Sequence, residues 1–268
     1  MPKATKDCRH GRISYLTTDA YVGRSLDLYG EYCEGEVILF RNVLRPGDVA
    51  VDVGANIGAH TIPLAKMVGP TGRVHAFEPQ ARMFELLTEN VGLNVLGNVE
   101  ARQAALGAAP GTAKVPPIDY ETLGNFGGVA VNGADGDDVP LVTIDSLELP
   151  SVRLIKIDVE GMEVDVLQGA AATIARHGPI LYCEADDPEN STAVVTWLFE
   201  HAYRAWWHMP PLFNQENFRA NPVNVFGNTI AMNAVALPNE IMPPPWPLRE
   251  IRDPTELARN MYRQERLV

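Results

Sequence analysis

One run constrains this chain more than any other: Val49-Ala-Val-Asp52-Val-Gly54-Ala-Asn56-Ile-Gly58-Ala-His60-Thr61. An apolar β-type stretch closes on an acid, passes through a glycine-rich turn and enters a helix-type sequence. That is the pattern of a buried parallel strand feeding a helix N-terminus. Gly54 permits a sharp turn and a close approach because it has no Cβ, and Gly58 lets the first helical turn pack near the strand. Asp52 stands at the carboxyl end of the strand, the edge at which open α/β sheets bind ligands. Dinucleotide sites use G-x-G-x-x-G so that a pyrophosphate can lie on the helix N-terminus. Here the spacing is Asp-x-Gly-x-x-x-Gly, with Ala55 where the second glycine would stand. A carboxylate in such a turn repels a pyrophosphate and can hold an ammonium, which favours S-adenosylmethionine (SAM), a nucleoside without phosphate.

The rest of the chain limits the setting. With 268 residues it can bury one substantial core, so one domain with extensions is expected. A formal net charge of −12 argues against nucleic acid or an anionic membrane as partner. Cys8, Cys33 and Cys183 show neither metal nor disulfide spacing and read as reduced thiols of a cytoplasmic protein. No run has the length of a signal peptide core or of a membrane span. The run Met242-Pro-Pro-Pro-Trp-Pro reads as an extended linker to a charged, helix-type tail, fit for packing or self-association.

Taken in order, residues 1–45 form a leading cap or lid, with a short strand near Ile13–Leu16, a helix from Glu34 to Leu44, and Tyr21, Arg24 and Glu31 as candidate substrate contacts. After the glycine turn come a helix over 61–68 and a strand over 72–77 that closes on Glu78-Pro79. Glu78 lies 26 residues beyond Asp52, where an acid ending the second strand can bind both hydroxyls of a ribose. As a plain alternative it caps the helix that starts near Gln80. That helix, over 80–96, leads to a strand near 99–103 and to small residues that leave room for a purine, so Gln103 and Ala104 are candidates for the base. Residues 108–140 read as a loop or irregular β excursion. Leu154–Ile157 is an apolar strand ending on Asp158, with Glu160 and Glu163 behind it, then a helix over 164–176. Three acids at one strand edge are costly unless they serve one another or a cation. They can face a sulfonium, a substrate hydroxyl or a divalent metal, although a metal needs further oxygen ligands, so none is expected. Glu163 can instead favour its own helix N-terminus. A fifth strand, 178–184, again closes on an acid, Glu184, with Asp186 and Asp187 behind it. Helix 190–201 and strands 203–208 and 229–237 follow. Asn214 lies in the long connection between those strands, which is placed to recognise substrate.

These residues resemble the FkbM-type methyltransferases over about residues 13–238. The resemblance rests on Gly23-Arg-Ser-Leu, Tyr29-Gly-Glu31, Asp52-Val-Gly-Ala-Asn56-Ile-Gly58, Phe77-Glu78-Pro79, Lys156-Ile-Asp158-Val-Glu160-Gly161-Met-Glu163 and the stretch from Trp207-His208 to Asn233. It implies an α/β fold of the Rossmann-like class I methyltransferase type: a seven-stranded, mostly parallel sheet whose antiparallel last strand is inserted beside the fifth. The expected division is an N-terminal cap (1–45), a methyltransferase domain (46–238) and a C-terminal extension (239–268). By the family pattern Asp52, Gly54, Asn56, Gly58, Glu78 and Asp158 belong to the cofactor site, and Thr61 opens the helix beside them. The expected activity is SAM-dependent O-methylation of a hydroxyl on a small molecule, a sugar, glycoside or secondary metabolite. An aliphatic hydroxyl needs a base to take its proton. His208 is the leading candidate, with Glu160 and Glu184 as rivals and Asp158 orienting the cofactor or the reacting hydroxyl. Two other readings are an NAD(P)-dependent oxidoreductase and a methyltransferase-like scaffold without catalysis.

Overall fold

The computed structural model describes residues 2–131, 135–243 and 247–255. Residues 244–246 of the proline-rich linker and the charged tail 256–268 lie outside them. In chain order the elements are β1 (Lys3–Cys8), β2 (Gly11–Leu16), α1 (Val22–Tyr29), α2 (Glu34–Val43), β3 (Val49–Val53), α3 (Thr61–Val68), β4 (Arg73–Phe77), α4 (Ala81–Leu93) and β5 (Val99–Arg102). Then come β6 (Ala105–Leu106), β7 (Gly111–Val115), β8 (Asp137–Val142), β9 (Leu154–Ile157), α5 (Glu163–Gln168), α6 (Ala171–His177), β10 (Ile180–Glu184), α7 (Pro188–Glu200), β11 (Tyr203–His208), β12 (Asn233–Pro238) and β13 (Arg249–Ile251).

The main sheet runs β13-β11-β12-β10-β9-β3-β4-β5. Strands β10, β9, β3, β4 and β5 are parallel neighbours, and β12 is antiparallel to both β10 and β11. The expected Rossmann-like order, with the last core strand slotted beside the fifth, is therefore the order observed. Among the described residues the sheet has eight strands rather than seven, because Arg249–Ile251 of the C-terminal extension adds an edge strand to β11. The central parallel strands are buried on both faces, as their continuous apolar runs require. Two apolar layers cover the faces, one carrying Phe40, Leu64 and Tyr182, the other Ile157, Leu167 and Trp207. No described helix is long and apolar enough to cross a membrane.

Two boundaries differ from the sequence reading. The helix expected over 164–176 is broken into α5 and α6 at Gly169-Ala170. A Cβ at Gly169 would lie 2.0 Å from the carbonyl oxygen of Gly107, so that close approach demands glycine. The Asp145 carboxylate then accepts from the backbone N–H groups of Ala172 and Thr173 at 3.0 and 2.7 Å, capping α6 from a distant segment. The last core strand starts at Asn233, not 229, which lengthens the connection after β11. The region 108–140, read as a loop or irregular β excursion, takes the second form: it contributes β7 and β8 to a small second sheet of order β6-β8-β7.

The leading hairpin β1–β2 is tied to the core by Glu89, Asn90 and Asn94 of α4, of which Asn90 is the buried one. Asn90 of α4, fully buried, accepts from Ser14 N at 2.6 Å and donates to Ser14 O at 2.9 Å and Ile57 O at 2.8 Å. It therefore serves as both donor and acceptor at the free edge of β2. Asn90→Leu keeps the volume and orphans these backbone groups. The expected loss is about 2–4 kcal/mol of unfolding free energy in urea titration. A loss under about 1 kcal/mol would mean that the hairpin is held by other contacts.

Candidate active site

A cavity of about 290 Å³ opens at the carboxyl edge of β3, β4, β9 and β10. The N-terminal segment (Tyr21, Tyr32, Glu36) and the connection between β11 and β12 (Leu212, Thr229–Met232) wall it on the other side.

The glycine turn after β3 is closed on itself. Gly54 has φ +76°, and a Cβ there would meet the Asp158 carbonyl oxygen at 1.8 Å, so the two strand ends touch only because residue 54 is glycine. Its N–H and that of Ala55 both donate to Phe77 O, at 3.0 and 2.9 Å. The N–H of Asn56 donates to Glu78 Oε2 at 2.8 Å, that of Ile57 to Asn56 Oδ1 at 2.7 Å, and that of Gly58 to Ala55 O at 2.8 Å. Every amide from 54 to 58 is thus engaged within the protein, and none is left to cradle a pyrophosphate. Gly58 itself does not line the cavity; its φ of +87° and the nearby Leu87 side chain give it a packing role.

Glu78 is 4% exposed and reaches the cavity wall. Its two oxygens accept from the N–H groups of Asn56 and Gln80, each at 2.8 Å. Burial pushes its carboxyl up to about 7, while these two amides pull the other way. The carboxylate is fixed in orientation and keeps lone pairs for hydroxyl donors in the cavity. Glu78 thus accepts from the N–H of Gln80 just before α4 and also faces the cavity. Gln80 beside it is anchored by donating to Phe126 O at 2.8 Å.

Asp52 departs from expectation. It is fully buried, its Oδ2 accepts from Thr61 Oγ1 at 2.7 Å, and its Oδ1 lies 3.4 Å from Lys156 Nζ. Neither Asp52 nor Thr61 lines the cavity, so the direct grip on a ligand ammonium expected of Asp52 is corrected to an ion pair beneath the floor. The reason is register: Asp52 and Lys156 are direct neighbours on parallel strands β3 and β9. Lys156 continues to Asp158 Oδ2 at 3.2 Å and itself forms part of the cavity wall. Burial works against its charge, but Asp158, Asp52 and Glu36 outweigh that and raise its pKa.

Three acids gather at the far end. Asp158, Glu160 and Glu184 each offer a carboxylate oxygen within 4.8 Å of the others, and Asp186 lines the same end. Burial first, then Asp158, Asp186 and Glu163, push Glu160 up to about 7. Burial and the same crowding hold Glu184 well above the usual carboxylate range. Glu163 stands apart. Fully buried, it accepts from the N–H groups of Val159 and Gly161 at 3.2 and 3.1 Å and from Asn190 Nδ2, so it fastens the turn that presents Glu160 at φ +54°. That is the helix-end role, not a place in the cavity.

The remaining expected residues divide. Gly54, Asn56, Glu78, Ala104, Asp158, Glu160, Glu184 and Tyr21 line the cavity. Gln103 is exposed and turns to Pro79 O at 3.4 Å, outside it. His208 is corrected as a base: its Nδ1 pairs with the Tyr182 hydroxyl at 2.8 Å, burial takes its pKa down to about 4, and it is absent from the wall. Glu31 and Asn214 meet each other instead of a ligand, with Asn214 Nδ2 donating to Glu31 Oε1 at 2.8 Å, while Arg9 and the N–H of Phe218 share Oε2. Arg24 is exposed and does not reach the cavity.

Sequence reasoning gave no role to Lys156, Glu36 or His60. Glu36 is 5% exposed, accepts from Asn233 Nδ2 at 3.1 Å, and lies 3.4 Å from His60 Nε2. Burial raises it to about 8, with Lys156 opposing, and holds His60 neutral. A signal was available for two of them. Lys156 interrupts an apolar strand run, and Glu36 sits four residues before Phe40 on the buried stripe of α2.

Comparison with known proteins adds the family. A family model described as the methyltransferase FkbM domain matches residues 52–205. The hexuronic acid methyltransferase AglP of Haloferax volcanii is 31% identical over 153 residues, covering 55% of this chain and 59% of that protein. The 31-O-demethyl-FK506 methyltransferase FkbM of Streptomyces tacrolimicus is 28% identical over 240 residues, covering 75% of this chain and 91% of that protein. Among solved structures, a methyltransferase FkbM from Methylobacillus flagellatus aligns at TM-score 0.49 and 17% identity, over 76% of this chain and 50% of that chain. A likeness of that strength adds nothing to the family match.

The Lys156 ion pairs give a stability test. Lys156→Met removes the charge facing Asp52, which is fully buried and keeps only the Thr61 hydroxyl. Stranding a buried charge costs about 3–5 kcal/mol, so the variant should lose that much in urea titration at neutral pH. An unfolding free energy within about 1 kcal/mol of the parent would show that Asp52 does not need its partner.

Proposed function

The chain belongs to the methyltransferase FkbM domain family, and on that premise we propose that it transfers a methyl group from SAM to a hydroxyl of a small molecule, a sugar, glycoside or secondary metabolite, with release of S-adenosylhomocysteine (SAH). The observation that carries the cofactor is the Asn56–Glu78–Gln80 clamp beside a turn with no amide to spare. A buried carboxylate turned into the cavity suits the two hydroxyls of a ribose. The engaged amides and the nearby negative charge suit a nucleoside without phosphate, and Ala104–Leu106 leave an apolar slot for its base. SAM supplies an activated methyl on a sulfonium. The names of the two curated relatives support a hydroxylated acceptor.

The protein's part is to bind, orient and take a proton. Asp158, held by Lys156, stands at the junction between the nucleoside end and the acid cluster. Glu160 is the base: it lines the cavity, its turn is fastened by Glu163, and its proton affinity is matched to neutral pH. Glu184 shares that end, while burial, Asp158, Asp186 and Glu163 keep the proton affinity of Glu160 high. The β11–β12 connection closes the acceptor side through Leu212 and Thr229–Met232.

Isothermal titration with SAH tests the cofactor. The parent should bind in the micromolar range, about −8 kcal/mol, and Glu78→Ala should weaken binding about tenfold or more by losing charged hydrogen bonds to the ribose. Unchanged affinity in that variant removes the clamp from the cofactor site. The pH profile of kcat/KM tests the base. A carboxylate with a raised pKa is active only when ionised, so the rate should fall below about pH 7 and level off above it. Glu160→Gln should lose that limb together with about 10²–10⁴-fold in rate. A profile that is flat from weakly acid to weakly alkaline pH in the parent assigns the proton to another group.

A further inference from the structure

The fate of Asp52 leaves the amino-acid end of the cofactor without the group expected to hold it. Asp52 is fully buried, is taken up by Thr61 and Lys156, and does not line the cavity. A sulfonium is pyramidal, so its three arms diverge. On the methyl-transfer reading the ribose arm lies at Glu78 and the methyl points toward the acceptor at Glu160. The third arm, the α-amino acid, leaves over the glycine turn toward the polar wall that remains. That wall is Glu36 of α2 and His60, which follows the turn and stands at the N-cap of α3.

Glu36 is 5% exposed and reaches the cavity, where Asn233 Nδ2 holds its Oε1 at 3.1 Å. Its Oε2 lies 3.4 Å from His60 Nε2, yet no hydrogen bond joins the two, and that buried nitrogen has no other partner. A buried polar atom left unpaired is costly, so this pair is built to be completed by a change in one of its members. The groups that face Glu36 are His60, Lys156 and Asp158 at the end of β9, Tyr182 on β10, and Tyr32 and Cys33 ahead of α2. Lys156 alone among these carries a positive charge, and it is shared with Asp52 and Asp158. Without a further cation burial prevails, and Glu36 keeps its proton up to about pH 8. An ammonium entering the cavity reverses this. Glu36 releases its proton to solvent and accepts from the ammonium, while neutral His60, protonated on Nε2, donates to the carboxylate so formed. The negative charge is produced by the arrival of the ligand rather than fixed beforehand.

We propose that Glu36, supported by His60, holds the α-ammonium of the cofactor's amino-acid end. This rests on the methyl-transfer reading above and moves one end of its cofactor site from the glycine turn to α2. Glu36 lies ahead of residues 52–205, the stretch that the family model matches.

Calorimetry with two ligands tests this: SAH, and 5′-methylthioadenosine, which keeps the nucleoside and thioether and lacks the amino acid. The parent should bind SAH about tenfold or more tighter than methylthioadenosine. Glu36→Gln has the shape of the protonated acid and can still accept from Asn233. It should lose that advantage, with its affinity for methylthioadenosine within about twofold of the parent's. Titrations of the parent at neutral pH in buffers of different ionisation enthalpy count protons, and SAH should release about one more than methylthioadenosine. The advantage of SAH should also shrink as the pH falls below about 8, because Glu36 pairs with an ammonium only when ionised. Taking the difference between the ligands removes the titration of Glu78, which meets the ribose of both. Protein that binds neither ligand overturns the methyl-transfer reading and this inference with it. Equal affinities in the parent, an advantage that survives in folded Glu36→Gln, a loss shared equally by both ligands, or no excess proton release overturns the inference and leaves the cofactor reading standing. An advantage lost in Asp158→Asn and kept in Glu36→Gln overturns it as well, and gives the ammonium to Asp158. Should Glu36→Gln fail to fold, the proton count of the parent decides.

Discussion

Lys156 carries its ammonium through the floor of the cavity, 3.4 Å from Asp52 and 3.2 Å from Asp158. Both Lys156 and Asp52 are buried, and ions out of water persist only when paired and hydrogen-bonded. The pair satisfies this by drawing in Thr61 at the start of α3. One interaction therefore joins the ends of β3 and β9 to the first helix of the core. Gly54 brings the same two strands into backbone contact. The site is built on the junction so formed, with Glu78 on one side and the Asp158–Glu160–Glu184 group on the other. The ammonium also sets the local field, since it opposes the upward drift of both Glu36 and Glu78.

Asp52 and Glu78 read alike in sequence, each an acid closing an apolar strand. Their fates differ because of what each strand has for a neighbour. Asp52 lies in register with a lysine and is neutralised below the surface of the site. Glu78 stands one residue beyond the last paired position of β4, past the ladder, where two amides of the surrounding turns turn inward to meet it. Strand type and the glycine turn were legible because each is carried by local pattern, and strand order came with the family resemblance. The partner of Asp52 was legible too, for anyone aligning Asp52 and Lys156 as the penultimate residues of two parallel strands.

What sequence could not supply was long-range pairing of polar groups. His208 follows a strand at the right edge, yet its imidazole goes to Tyr182 on the face that packs against Phe40. Glu31 and Asn214 stand 183 positions apart and satisfy each other, fixing the β11–β12 connection over the N-terminal helices. Each had a side chain suited to substrate, and each was taken by the fold. Polar residues near a ligand edge hold two kinds of post, and only the third dimension tells which, since a buried group must find a partner wherever one happens to lie.

The acids of the cavity bear on rate as well as on binding. Attack on a sulfonium turns a cation into a neutral thioether, so carboxylates that merely sit beside the sulfur stabilise the bound state more than the transition state. A wall of fixed anions would slow the reaction. Here the wall is relieved on one side by Lys156, which answers Asp158, and on the other by burial and crowding, which push Glu160 up to about 7 and hold Glu184 well above the usual carboxylate range. A carboxylate that takes the acceptor's proton behaves differently from one that stands by. It loses its negative charge while the sulfonium loses its positive charge, and both products are neutral. Such mutual neutralisation gains from a poorly solvated cavity, where opposite charges of reactants are not sustained by water. On the proposed reading in which Glu160 takes that proton, the burial that makes its ionisation costly also favours its protonation as the methyl moves.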